Sequence, residues 1–231
     1  MPGPFVDAAA GLLLGAACPG CRTPGAGLCA ACAALLSGVE PFAVADPTCG
    51  VPVWAAAPYA DVWRRCVVAY KERTGWWLGA LLGELLALGV LAAARGTGVP
   101  IAGLVLVPMP SQARSVRERG LDTTLTLARV AARTLAGVGV RASVEPRLRH
   151  ARRVADQASL GEQGRRDNLV GALAARPVGE GRAGVRVVVD DLTTTGSSLA
   201  EACRALAAAG TPASACAVVA ATPRRSPASR A

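Results

Sequence analysis

The stretch VVVDDLTTTGSS at residues 187–198 decides most of what this sequence predicts about fold. It opens with three β-branched residues, a pattern typical of a buried parallel strand. Two carboxylates follow at Asp190 and Asp191, then a run of hydroxyls with one glycine, and then a segment with helical character from Leu199. This order of strand, acid pair, polar loop and helix predicts an α/β unit whose loop lies at the carboxyl end of a parallel sheet.

The loop has the composition of a phosphate site. A small polar loop before a helix directs backbone N–H groups toward one point, which favours a bound phosphate. The residues of this loop are Thr193, Thr194, Thr195, Gly196, Ser197 and Ser198. The acid pair cannot bind phosphate directly, but it can bind ribose hydroxyls or a Mg²⁺ whose other ligands are substrate oxygens. Acids that merely cap the next helix would explain only one acid and one hydroxyl, so a ligand site is the favoured interpretation.

The same stretch resembles the phosphoribosyl pyrophosphate (PRPP) signature of type I phosphoribosyltransferases. The resemblance implies a parallel α/β sheet flanked by helices, with PRPP and Mg²⁺ bound at its edge. It assigns a catalytic role to Asp190 and Asp191, which would hold the ribose hydroxyls. The residues from Thr193 to Ser198 would anchor the 5′-phosphate.

Four cysteines near the start of the chain have the spacing of a metal module. Two CxxC pairs, Cys18 with Cys21 and Cys29 with Cys32, are separated by a loop rich in glycine and proline. Each CxxC forms a tight turn that points two sulfurs at one centre, and two such turns give the tetrahedral sulfur coordination that Zn²⁺ prefers. A redox motif would need a single CxxC beside a βαβ unit, so the two pairs favour structural zinc.

A cysteine module before a PRPP loop resembles the ComF family of competence-associated, phosphoribosyltransferase-like proteins. The resemblance extends to Tyr70 and Lys71, and to a stretch from Gln157 to Gly171. The family carries a further CxxCG, in which Asp46 replaces the first cysteine here and Cys49 remains. The resemblance implies uptake or processing of single-stranded DNA in natural transformation, alongside a helicase-like partner.

Basic residues outside the loop suit a polyanionic ligand. The net charge is +9, and Arg114, Arg117 and Arg119 follow a predicted strand at 103–107. The family resemblance gives Lys71, Arg117 and Arg119 to the pyrophosphate. Arginine forks match phosphate oxygens, and the same charge would also attract nucleic acid. Two functions therefore stay open: a phosphoribosyltransferase with an unknown acceptor, and a non-catalytic adaptor that binds single-stranded DNA.

The length of 231 residues allows one substantial core and a small appendage. We expect a short N-terminal helix at 5–16 and a cysteine-rich zinc module within 1–50, a phosphoribosyltransferase-like domain at 51–222 and a basic disordered tail at 223–231. The cysteine usage favours the reducing cytoplasm. The apolar segment 76–94 carries Glu84 in its middle, which favours a core helix over a membrane span.

Helices are expected at 61–71, 77–94 and 121–136, and the last has an apolar face at helical spacing. Several other local features carry expectations. Pro52 and Pro58 suggest that the strand at 51–60 lies at the edge of the sheet. The segment from Ser111 to Gly120 is predicted to be a loop over the ligand. At least one of Trp76 and Trp77 is expected in the core, and His150, the single histidine, is interpreted as incidental because no nucleophile motif accompanies it.

Overall fold

The computed structural model describes residues 16–45, 48–72, 75–151, 170–176 and 184–222. Its helices are α1 (Ala30–Ser37), α2 (Asp61–Lys71), α3 (Leu78–Gly96), α4 (Ala113–Arg119), α5 (Thr123–Gly137) and α6 (Ser197–Ala208). Its strands are β1 (Phe42–Val44), β2 (Val53–Pro58), β3 (Leu104–Pro108), β4 (Ala142–Val144), β5 (Leu148–His150), β6 (Leu173–Ala175), β7 (Val185–Thr193) and β8 (Ala215–Ala221).

A six-stranded sheet with the order β1-β2-β8-β7-β3-β4 forms the centre of the described chain. Strands β2, β8, β7, β3 and β4 run parallel, and only β1 is antiparallel to its neighbour. Leu106 lies opposite Val187 in the register of β3 with β7. The fold is therefore α/β with a mostly parallel, mixed sheet flanked by helices, as the alternation of strands and helices predicts.

The two faces of the sheet form two separate cores. Alternate residues of each strand point to opposite faces, so Val187 and Val189 join one core while Val188 joins the other. The first core is covered by α2, α3 and α5, and the second by α6. Because both faces are covered, the central strands are apolar along nearly their whole length, which is why residues 187–189 and 215–221 lack polar alternation.

The segments predicted as helices at 61–71, 77–94 and 121–136 correspond to α2, α3 and α5, so these predictions are confirmed. The edge position predicted for residues 51–60 is wrong, because β2 lies between β1 and β8. Its two prolines do not interrupt the ladder: Pro52 precedes the strand and Pro58 ends it. The carbonyl of Pro52 even accepts a hydrogen bond from Cys216.

Helix α3 is the apolar segment that the sequence analysis assigned to the core. By length and composition it could cross a membrane, but 61% of its most apolar window is buried inside the protein. Its glycines let it approach other elements closely: a Cβ at Gly83 would lie 2.4 Å from Cβ of Val130 on α5. This burial supports the interpretation of α3 as a core helix.

Trp76 and Trp77 precede α3 and are 52% and 50% exposed. The expectation that at least one of them packs in the core is therefore wrong. The large aromatic side chains of this core are instead Trp63 and Tyr70 of α2, which are both buried.

Some predictions fall outside the described residues. These are the N-terminal helix, the position of Asp46, the stretch from Gln157 to residue 169 and the basic tail. The boundary between a cysteine module and a second domain at residue 50 also stays a prediction.

Candidate functional site

A cavity of about 520 Å³ opens at the carboxyl ends of β3 and β7. The chain leaves β3 toward β4 on one side and leaves β7 toward β8 on the other. The connections that follow β3 and β7 therefore lead in opposite directions, which leaves a crevice between the ends of these two strands. Open α/β sheets bind ligands at such a point of reversal. Met109 and Pro110 after β3 and Asp190 to Leu192 of β7 line this cavity.

The acid pair lies within the last part of β7, in the cavity wall. Asp191 is 5% exposed, and its carboxylate lies 3.0 Å from Nζ of Lys71 at the end of α2. The backbone N–H of Asp191 donates to the Asp190 carboxylate at 2.9 Å. Burial, followed by repulsion from Asp191, raises the pKa of Asp190 to about 8. The ammonium of Lys71 thus lies beside the acid pair and offsets negative charge at Asp191.

The polar loop leads directly from β7 into α6. Thr193 ends the strand, and Gly196 adopts the left-handed conformation with φ 78°, where a side chain would be strained. The hydroxyls of Thr195 and Ser197 lie 3.0 Å apart. Thr194 and Ser198 line the cavity. The loop and the α6 N-terminus therefore face the same cavity as the acid pair, which is the geometry an anionic ligand requires.

The segment predicted as a loop at 111–120 contains a helix, α4, so the prediction of a loop is wrong there. The helix is capped at its end by Gly120 with φ 73° and carries the ion pair of Arg114 with Glu118 at 2.7 Å. Such i, i+4 pairs favour helix. Arg119 lines the cavity, whereas Arg117 is exposed and does not line it. Of the two arginines predicted for pyrophosphate, the helix directs one toward the site.

A two-stranded antiparallel sheet of β5 and β6, which sequence reasoning missed, forms another wall. His150 on β5 lies 3.0 Å from the carbonyl of Pro110 through Nε2, so this nitrogen carries the proton and donates. Glu201 on α6 is buried and accepts hydrogen bonds from the Leu173 backbone at 3.0 Å and from Arg204 at 2.7 Å. Both side chains line the cavity. No local sequence signal places either residue at this site, because His150 contacts Pro110 and Glu201 contacts Leu173, both distant in the chain.

A second cluster lies at the other end of the described chain. The Sγ atoms of Cys18, Cys21, Cys29 and Cys32 all lie within 4.8 Å of one another. Sulfur atoms around a tetrahedral Zn²⁺ with bonds of about 2.3 Å lie about 3.8 Å apart. The cluster is therefore a potential metal site whose size and donor set are compatible with structural zinc.

Hydrogen bonds lower the pKa of two cysteines of this cluster and so favour the thiolate form that binds metal. The Thr23 hydroxyl, 3.0 Å from Sγ of Cys21, leads the contacts that lower the pKa of Cys21 to about 6. Burial would raise the pKa of Cys18, but backbone N–H groups led by that of Cys29 lower it overall. Burial, followed by the neighbouring thiols, raises the pKa of Cys32. A cation would relieve that repulsion, because metal ligands bind as thiolates.

Comparison with known proteins adds no identification. A scan against models of protein families finds no match for this chain. A search of curated proteins also finds no match. The geometry of the two clusters therefore carries the functional argument.

The raised pKa of Asp190 predicts a pH dependence of stability. The folded chain keeps a proton on Asp190 up to about pH 8, whereas an unperturbed Asp releases it near the ordinary value of 3.8. In this window the folded state binds more protons, so the contribution of Asp190 to the free energy of unfolding falls as pH rises. Asp190→Asn should remove this fall, and its melting temperature relative to wild type should increase between about pH 5 and about pH 9.

The measurement is a set of thermal melts of both proteins across that range. Glu40→Gln, which removes an exposed carboxylate on the surface, is the matched control and should follow wild type. Parallel curves for Asp190→Asn and wild type would contradict the assignment of a raised pKa.

Proposed function

We propose that this chain binds PRPP together with Mg²⁺ and belongs to the type I phosphoribosyltransferase class. One observation carries the proposal: a strand-terminal acid pair and a hydroxyl-rich loop before a helix line one cavity at the point of reversal of a parallel sheet. The acids suit ribose hydroxyls, and the loop suits a 5′-phosphate. A phosphorylated ribose is the compound that needs both.

The proposed reaction is displacement at the anomeric carbon of the ribose. A nucleophile of the acceptor, such as a ring nitrogen, forms the new bond to that carbon, and the bond to the pyrophosphate oxygen breaks. The leaving pyrophosphate takes the electron pair. Positive charge develops on the ribose during this step, and in this proposal Asp190 and Asp191 stabilise it.

Lys71 has a double role in this proposal. In the ligand-free chain its ammonium pairs with Asp191 at 3.0 Å and limits the repulsion within the acid pair. Its side chain is 33% exposed and lines the cavity, so it can turn toward an anion. Ligand binding would therefore exchange the Asp191 contact for a pyrophosphate contact, which Arg119 would share.

The acid pair also fits Mg²⁺, since carboxylate oxygens are its preferred protein ligands. Asp190 and Asp191 would hold the cation, directly or through ribose hydroxyls, and the cation would neutralise pyrophosphate charge. The raised pKa of Asp190 supports this fit, because a protonated acid beside a carboxylate is a site that a bound cation would ionise.

The metal cluster completes the proposal. We infer that Cys18, Cys21, Cys29 and Cys32 hold one structural Zn²⁺, which would fix the module against α2. The four cysteines of this cluster are reduced, and this is consistent with a protein of the cytoplasm.

Arg119 and Arg117 give a matched test of the pyrophosphate contact. Arg119→Gln should weaken PRPP binding about tenfold or more, because a charge-assisted hydrogen bond contributes about 1.5–3 kcal/mol. Binding of ribose 5-phosphate, which lacks pyrophosphate, should change little. Arg117→Gln removes the same charge from the same helix but outside the cavity, so it should leave both affinities near those of wild type.

The measurement is calorimetric titration of the three proteins with each ligand in the presence of Mg²⁺. Equal losses of both ligands in Arg119→Gln would show that this arginine acts through the overall field or the fold. A wild-type chain that ignores PRPP would overturn the proposed function itself.

A second candidate is a non-catalytic adaptor for single-stranded DNA in natural transformation, with a helicase as partner. The observation that favours it is the exposure of Trp76 and Trp77, since adjacent exposed aromatics can stack bases. The net charge of +9 would supply the electrostatic attraction. Binding of single-stranded DNA that weakens as salt rises, by a chain that ignores PRPP, would favour this candidate over the first.

A further inference from the structure

A second cavity, of about 510 Å³, lies between the first cysteine turn and helix α2. Its lining from α2 follows one helical stripe, which contains Asp61, Arg64, Arg65 and Glu72. The cysteine turn contributes Pro19 and Arg22. None of the described residues lines both this groove and the cavity that holds the acid pair.

The strained backbone of Arg22 indicates that its side chain has a function. Arg22 has φ 66°, in the left-handed region that costs an ordinary residue roughly 1–2 kcal/mol and glycine almost nothing. The side chain is exposed, so it does not compensate by packing in a core. Glycine would make this turn more stable than arginine does, so the presence of arginine indicates that its guanidinium binds a ligand.

Asp61, which also lines the groove, has a strained backbone like that of Arg22. It has φ 45°, and among the described residues it and Arg22 are the only ones other than glycine with positive φ. Both line the same cavity. Strained residues cluster where a site is held in a particular geometry, so two in one groove point to a site.

The charged side chains that line the groove do not form ion pairs with one another. Within the described ranges, neither Arg22 nor Arg64 forms an ion pair, and neither Asp61 nor Glu72 does. The Nε of Arg65 donates to the carbonyl of Gly20, which orients that guanidinium and leaves its two terminal nitrogens for another acceptor. Three guanidinium groups therefore face a cavity in which no described carboxylate pairs with them.

The wall of the groove is rigid because the cysteine turn packs tightly on α2. A Cβ at Gly20 would lie 2.6 Å from both Sγ of Cys32 and Cγ2 of Val62. Only glycine allows this contact, and Val62 and Cys32 are both buried. The positions of Arg22 and Arg65 are thus fixed relative to Arg64 by the fold.

We propose that this groove is a second binding site, and that it takes a small phosphate-bearing anion on Arg22, Arg64 and Arg65. Guanidinium forks match phosphate oxygens. The acids limit the size of the ligand: Asp61 begins α2 and Glu72 directly follows its end, eleven positions and about 16 Å away along the helix axis. They would repel a polyanion that extended along the stripe, so a compact anion fits better than a nucleic-acid strand.

The test is a titration of the full 231-residue chain, reduced and ¹⁵N-labelled, with inorganic phosphate at constant ionic strength. Amide signals of residues 20–22 and 61–65 should shift together and saturate, independently of those of residues 194–198. Arg64→Gln should weaken the groove binding about tenfold or more. Arg129→Gln, an exposed arginine of α5 outside the groove, is the charge-matched control and should bind as wild type does.

Arg22→Gly separates binding from folding. Glycine adopts φ 66° without strain, so this variant should melt at or above the temperature of wild type. It should nevertheless lose groove binding, while the shifts at residues 194–198 persist. The proposal would be overturned if the groove signals did not shift with phosphate. It would also be overturned if they shifted equally in Arg22→Gly, Arg64→Gln and Arg129→Gln. A groove that responds to a single-stranded oligonucleotide but not to phosphate would also overturn it.

Discussion

Replacing Asp190 and Asp191 together by Asn should abolish the stabilisation that PRPP with Mg²⁺ gives the wild-type chain. A ligand at one hundred times its dissociation constant stabilises the folded state by about 2.7 kcal/mol, which for a chain of this size raises the melting temperature by roughly 5–10 °C. The double variant lacks the carboxylates that would hold the ribose hydroxyls and the cation, so its shift should be close to zero.

The measurement is a thermal scan with and without PRPP and Mg²⁺. The ligand-free double variant should remain folded, because Asp190 already favours its neutral form and Lys71 is exposed enough to be solvated without Asp191. Glu40→Gln combined with Glu84→Gln removes two carboxylates from the exposed surface instead and should keep the full shift. A double variant that responds to PRPP like wild type would refute the assignment of the acid pair.

Removal of metal from the cysteine cluster should have the second large effect. The reduced protein should hold about one zinc per chain. Structural zinc contributes about 10–16 kcal/mol of apparent binding free energy in isolated modules, so stripping it should unfold residues 16–38 even if the sheet persists. Within that segment the described buried side chains are only Cys18, Cys32 and Leu36, which is too little to hold it without metal.

Metal analysis and limited proteolysis measure this effect. Cys29→Ser should lose the zinc and expose cleavage sites in the module, whereas Cys203→Ala, which alters a cysteine outside the cluster, should keep both the metal and the protection. A chelator-free preparation with less than about half an equivalent of zinc would contradict the prediction. So would an unchanged cleavage pattern in Cys29→Ser.

Local patterns were sufficient for much of the fold. The β-branched run before Asp190 predicts β7, and the apolar periodicity of residues 121–136 predicts α5. These signals work because the side-chain periods of strands and helices are properties of short segments. The cysteine spacing likewise predicts four converging sulfurs, because each CxxC turn is itself local.

Other features depended on how distant segments pack. The prolines of residues 51–60 suggested an edge strand, but the ends of β2 accommodate both, and β1 covers its outer side. The apolar character of residues 76–94 suggested buried tryptophans, yet Trp76 and Trp77 lie before the helix and stay half-exposed. Neither outcome is encoded in the segment alone, because each depends on which neighbour covers which face.

The order of strand, acid pair, hydroxyl-rich loop and helix follows from the sequence alone, as does the set of four cysteine sulfurs in the N-terminal cluster. The pairing of Lys71 with Asp191, 120 positions further along the chain, and the position of Arg119 rather than Arg117 at the cavity follow from tertiary packing. Tertiary packing also brings Arg22 together with Arg64 and Arg65 in one groove. The physical reason is that sequence patterns report the conformation of a segment, whereas a site between segments depends on the packing that orients their side chains.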